Sequence, residues 1–99
     1  MTDSTLRIIE RIKSIPKGKV SSYGNVALAA GLPNGARQTV RALHSLSEKF
    51  DLPWHRVIRS DGSIALAPGE GRELQTRLLR AEGVEVSAQG KVDMKRFGI

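Results

Sequence analysis

The stretch Ser21-Ser-Tyr-Gly-Asn-Val-Ala-Leu-Ala-Ala-Gly-Leu-Pro-Asn-Gly-Ala-Arg-Gln-Thr-Val-Arg-Ala-Leu-His44 decides the fold. Ser21 or Ser22 can cap a helix running through Asn25-Val-Ala-Leu-Ala-Ala, because a hydroxyl oxygen takes an N–H group that a helix start leaves free. Gly31 ends that helix. Leu32-Pro-Asn-Gly35 reads as a turn, and Asn34 is expected to cap the next helix, extending to about Leu46. Two short helices around a glycine-containing turn make a helix-turn-helix. Along the later helix, Ala36, Val40 and Leu43 share one side, expected to face the core, while Arg37, Arg41 and His44 share another. Such a cationic stripe suits a helix laid on DNA, where cations neutralise phosphates and release counterions. An ordinary solvated face would look the same from this helix alone.

Upstream, Thr2, Asp3 and Ser4 offer N-caps, and Leu6, Ile9, Ile12 and Ile15 follow helical spacing. Pro16 and Gly18 stop that helix in a basic turn. Downstream, residues 54–59 are β-prone, with Ser60-Asp-Gly-Ser63 a turn before Ile64-Ala-Leu66. Ala67-Pro-Gly-Glu-Gly71 reads as a loop, followed by a helix carrying Leu74, Leu78 and Leu79 and ended at Gly83. The tail, Val84-Glu-Val86 and then Gln89-Gly-Lys-Val92, alternates around a glycine turn like a small hairpin. A hairpin in that place is a wing, which can hold DNA or cover an edge of the core. The expected fold is therefore mainly α with short β-hairpins, a winged helix-turn-helix over residues 1–99 as one domain.

The 99 residues carry 16 Lys plus Arg against 10 Asp plus Glu, a formal charge of +6, which favours an anionic partner. Cysteine is absent, which excludes disulfides, a thiolate nucleophile and cysteine metal sites. No metal or cofactor is expected. The first residues show no secretory pattern, and no run approaches the roughly 20 apolar residues of a membrane span. The expectation is a soluble, cytoplasmic protein.

Four segments in fixed order carry a resemblance. Ile15-Pro-Lys-Gly-Lys-Val-Ser-Ser-Tyr-Gly24, Gly35-Ala-Arg37, Leu52-Pro-Trp-His-Arg-Val57 and Leu78-Leu-Arg-Ala-Glu-Gly-Val84 resemble the C-terminal domain of O6-alkylguanine-DNA alkyltransferases. That family's active site reads Pro-Cys-His-Arg, where this chain has Pro53-Trp54-His55-Arg56. The substitution looks like the alkyltransferase-like subgroup. Irreversible alkyl transfer needs a thiolate acceptor, and an indole is no comparable nucleophile. With no cysteine anywhere, thiol-based repair is excluded.

What the resemblance implies is recognition of O6-alkylguanine in double-stranded DNA by nucleotide flipping, without catalysis. An alkylated base stacked in a duplex hides its modified atom, so inspection requires rotating the nucleotide out. By resemblance, Tyr23 crowds the target phosphate and assists rotation. Arg37 matches the finger that enters the stack, where a planar guanidinium can both stack and donate hydrogen bonds. Gly35 and Ala36 match small residues permitting close approach to the minor groove, and Arg41 follows on the same cationic face. Trp54 would line the flipped-base pocket with Tyr23 and the loop Ala67, Pro68 and Gly69, although a lone tryptophan is more commonly core. His55 and Glu82 match the pair that deprotonates the cysteine in the repair enzymes. Here they form a vestigial, structural set, with Arg56 expected to fasten backbone or an acidic group.

Two departures stand out. The repair enzymes carry a hinge asparagine eight residues before the reactive position, where this chain has Leu46. Ala67-Pro-Gly69 replaces their Tyr-Ser contacts to the base. The resemblance further implies that bound lesions are marked for nucleotide excision repair, with its damage-recognition proteins as partners, and that the protein acts as a monomer. Two alternative functions are compatible with parts of the sequence. A winged helix-turn-helix transcription regulator explains the charge and the helix pair but leaves Pro53-Trp-His-Arg56 and Glu82 without purpose. A water-activating base-repair enzyme could use His55 and Glu82, but the Trp54 indole would stand where water should attack.

Overall fold

The structure, a computed structural model, describes residues 1–99. Helix α1 spans Asp3–Lys13, with the Thr2 hydroxyl accepting from the Thr5 N–H. It buries Ile8, Ile9 and Ile12, whereas Leu6, expected in the same stripe, is 44% exposed because Ile8 takes the inward position. Strand β1, Ser21–Ser22, leads into α2, Tyr23–Ala29, with Ser22 accepting from the Asn25 N–H. Helix α3 is Ala36–Phe50. A single 3₁₀ turn, Trp54–Arg56, precedes strand β2, Val57–Ile58. Helix α4 is Glu70–Ala81 and α5 is Met94–Phe97. No helix is long and apolar enough to cross a membrane.

Helices α2, α3 and α4 end the same way. The N–H groups of Leu32, Leu52 and Val84 donate back to the carbonyls of Ala27, Ser47 and Leu79, closing each helix over a residue at positive φ. In α2 and α4 that residue is Gly31 or Gly83; in α3 it is Asp51, at φ 51°. Without a glycine to mark it, the end of α3 lies four residues beyond the expected Leu46. At its start Gly35, not Asn34, is the cap, and no side chain caps it.

The β structure also departs from expectation. β1 and β2 pair in parallel, Ser21 with Val57 and Ser22 with Ile58. Neither expected hairpin forms a ladder. The tail turns at residues 87–90, but it bonds across to the earlier turn: Ile64 donates to Gly90, Val92 donates to Gly62, and Ser63 bridges Lys91. Each turn closes on its own bond, Arg59 N–H to Ser63 O and Ser87 N–H to Lys91 O, and beyond that pairs with the other turn instead of extending its own ladder. The winged helix-turn-helix outline stands, with a wing made of two interlocked turns.

Two apolar clusters result. Ile8, Ile12, Ile15, Val26, Ala42 and Val57 anchor the first, under α1, α2 and α3. Val20, Ile58, Leu79, Val84, Val92 and Phe97 anchor the second. The parallel strand pair joins them, since Val57 and Ile58 point to opposite sides.

Candidate nucleic-acid interface

The Pro53-Trp-His-Arg segment is shaped by its own backbone. Pro53 sits at φ −75°, ψ 65°, and the Trp54 N–H donates to Leu52 O at 2.7 Å, an inverse γ-turn. That turn sends Trp54 to one side of the chain, with His55 and Arg56 following on the 3₁₀ turn.

His55, Arg56 and Glu82 form a polar hub. His55 Nε2 lies 2.8 Å from Glu82 Oε2. Arg56 donates to the same carboxylate from Nε at 3.0 Å and from its terminal nitrogen at 2.7 Å, and also donates to Ile15 O at 2.9 Å. The Gly18 N–H donates to Glu82 Oε1 at 3.2 Å. Burial pushes the Glu82 pKa up, but the hydrogen bonds from Arg56, His55 and Gly18 outweigh it and bring the pKa from 4.5 down to about 2. Both carboxylate oxygens are occupied, so neither is free to activate water. The hub ties the turn after α1 to β2 and the end of α4.

Beside the hub opens a cleft of about 310 Å³, lined mainly by apolar side chains. Tyr23 from α2 and Trp54 both line it; Val40, Leu43, His44 and Ser47 come from α3, and Val57, Leu66 and Gln75 complete it. Burial raises the pKa of the Tyr23 hydroxyl above 10, partly offset by the charge of Arg59, so the hydroxyl is protonated and can donate at neutral pH. The cleft thus offers an aromatic ring, an indole and aliphatic walls at the scale of one heterocycle.

Several expected site residues lie elsewhere. Ala67, Pro68 and Gly69 do not line this cleft. Leu66 does, and Pro68 and Gly69 border a separate one. The chain turns outward after Leu66, and all three are exposed. Ala36 and Val40 do not face the core either. The inward stripe of α3 is Thr39 and Ala42, with Leu43, Leu46 and Phe50 packed against it in part. Val40, 36% exposed, forms cleft wall instead. Arg37 and Arg41 are exposed and free of ion pairs. Gly35 is buried, and a Cβ there would sit 2.7 Å from Leu32 Cβ, so its smallness serves internal packing rather than an open surface.

Gln75 carried no signal in the sequence, being one polar residue in a leucine-bearing helix. It is 3% exposed, and its amide donates to the carbonyls of His55 at 3.1 Å and Val57 at 3.4 Å, fixing the strand edge that borders the cleft.

Residues 3–84 match the family described as 6-O-methylguanine DNA methyltransferase, DNA binding domain. The chain is 46% identical to the DNA base-flipping protein of Vibrio parahaemolyticus, over 98% of this chain and 96% of that one. It is 39% identical to alkyltransferase-like protein 1 of Schizosaccharomyces pombe, over 87% of this chain and 81% of that one. The crystal structure of S. pombe Atl1 in complex with damaged DNA containing O6-carboxymethylguanine superposes with a TM-score of 0.84 at 34% identity, covering 98% of this chain and 94% of that one.

Proposed function

The chain belongs to the family of the 6-O-methylguanine DNA methyltransferase DNA-binding domain, and from that premise we propose that it binds duplex DNA, rotates an O6-alkylated guanine out of the stack and holds it unrepaired. The observation that carries this reading is the cleft between Tyr23 and Trp54, with α3 as one wall and the exposed Arg37 and Arg41 on the same helix. The guanidiniums would meet phosphates and, at Arg37, fill the vacated stack. Tyr23 would press on the rotating phosphate. Val40, Leu43 and Leu66 would accept the alkyl group. Trp54 stands where the repair enzymes keep their thiolate, and the chain has no cysteine, so the lesion leaves unchanged.

In this reading the 99 residues work as one unit, as a monomer on DNA in the cytoplasm, and mark the lesion for nucleotide excision repair through its damage-recognition proteins. The test is a gel-shift comparison of matched duplexes carrying guanine or O6-methylguanine, followed by chemical analysis of the recovered DNA. Tighter binding of the lesion with the methyl group intact is expected. Equal affinity for both duplexes would remove lesion recognition, and loss of the methyl group would make the protein an enzyme.

A further inference from the structure

A second cleft of about 720 Å³ lies between α4, the loop before it and the turn at residues 87–90. Three arginines line it, Arg72, Arg77 and Arg80, against one acid, Glu73. The chain's ion pairs join Glu82 to His55 and Arg56, and Glu85 to Arg96, so none neutralises this cleft. Two of the arginines are held in place. Arg72 donates to Gln89 O at 2.6 Å, and Arg80 donates to Val86 O at 2.7 Å. Gly90, at φ +76°, makes room for the first, since a Cβ there would collide with the Arg72 guanidinium. Each tether uses one of the five N–H donors of a guanidinium and leaves the rest available. A tethered guanidinium also loses less freedom when it binds a carboxylate.

We propose that this cleft docks an acidic segment of a partner protein, with carboxylates on Arg72, Arg77 and Arg80. Chemistry favours a peptide over a nucleic-acid backbone here. Glu73 is an acceptor, which a peptide's N–H groups can satisfy and which a phosphodiester, carrying no donor, would only repel. Position agrees. No lining residue comes from α2 or α3, the helices carrying Tyr23, Arg37 and Arg41. Thr76 and Arg80 lie about 100° and about 140° around α4 from Gln75, which lines the first cleft. The loop nevertheless connects the two, with Leu66 in one and Pro68 and Gly69 in the other. A partner seated here would sit beside the bound lesion without covering it.

The test uses the full chain, free and saturated with a short duplex, titrated into a fluorescein-labelled peptide rich in aspartate and glutamate. Fluorescence anisotropy should show binding in both states. Arg77→Glu should weaken the peptide about tenfold while leaving duplex affinity and its salt dependence unchanged. The Arg77 side chain makes no hydrogen bond in the fold, so the variant should keep its thermal midpoint. Arg41→Glu, the same charge change on α3, should weaken the duplex and spare the peptide. Displacement of the peptide by duplex, or equal losses of peptide affinity in the two variants, would overturn the proposal. So would a flatter salt dependence of duplex binding in Arg77→Glu, which would give the arginines to DNA. Because one arm contains no DNA, failure of lesion recognition would not be mistaken for failure here.

Discussion

Glu82 is one carboxylate holding together residues from three parts of the chain. Its folded pKa of about 2 lies below the ordinary 4.5, so its contribution to stability is fully present above 4.5 and is lost as pH falls through about 2. A shift of that size corresponds to about 3 kcal/mol. Glu82→Gln should therefore lower stability at neutral pH by about 3 kcal/mol, since it leaves the Arg56 charge without its partner, and should flatten the pH dependence within that window. Urea unfolding at a series of pH values measures both. Trp54→Cys restores the Pro-Cys-His-Arg sequence with His55 and Glu82 still in place. Little or no alkyl transfer is expected, because the sulfur must sit close to and in line with the alkyl carbon, and an error of about 1 Å can cost 100-fold. Leu46 packs on the core at the position that the resemblance gives to a hinge asparagine in the repair enzymes, and its side chain can donate no hydrogen bond to a thiolate. Rapid stoichiometric labelling from DNA carrying a radiolabelled O6-methyl group would show that Trp54 alone disables an intact site.

Helix α3 gives a different surface to each of its neighbours. Thr39 and Ala42 meet the core, Val40 and Leu43 form cleft wall, and Arg37 and Arg41 face solvent. Its start depends on Gly35, where an added methyl group would lie 2.7 Å from Leu32 Cβ and 2.9 Å from Gln38 Oε1. Gly35→Ala should cost about 1–3 kcal/mol through overpacking. A lower thermal midpoint with the duplex affinity of the folded protein retained is the expected pair of results. An unchanged midpoint with weakened DNA binding would instead assign the glycine to close approach of the duplex.

At the scale of the whole molecule, two apolar clusters share one short parallel strand pair and the Glu82 hub. The second cluster is completed by the chain's last residues: the Val20 N–H donates to Phe97 O, and the Ile99 N–H donates to Val20 O, both at 2.9 Å. Val20 leads directly into β1 and Tyr23, so damage at the tail should be felt by both halves. Phe97→Ala, at a site 7% exposed, should cost about 3–5 kcal/mol. The loss should lower one cooperative transition rather than split off a second. Trp54, the chain's single tryptophan, reports on the cleft by fluorescence while far-ultraviolet circular dichroism reports on all helices. Coincident curves are expected; an early transition in ellipticity with Trp54 unmoved would show that the halves unfold separately.

The amino-acid sequence by itself determined what depends on neighbours along the chain. A cap is legible among Thr2, Asp3 and Ser4 and another at Ser21 or Ser22, of which Thr2 and Ser22 serve; Gly31 and Gly83 end their helices, and no cysteine stands in Pro53-Trp54-His55-Arg56. These features rest on interactions within a few residues or on residue identity alone. Only the tertiary structure decided the rest. Apolar or small residues occupy two adjacent stripes of α3, Ala36 and Val40 on one and Thr39 and Ala42 on the other, and periodicity cannot say which meets a partner. Packing against α1 and α2 chose the second stripe and left Val40 to the cleft. The tail turn and the turn at residues 59–62 each look like half of a private hairpin, yet they bond to each other, because a backbone N–H takes whichever carbonyl the fold brings near. Gln75 entered the cleft wall for the same reason: two carbonyls separated from it by 18 and 20 residues lie within reach of its amide only after α4 has packed.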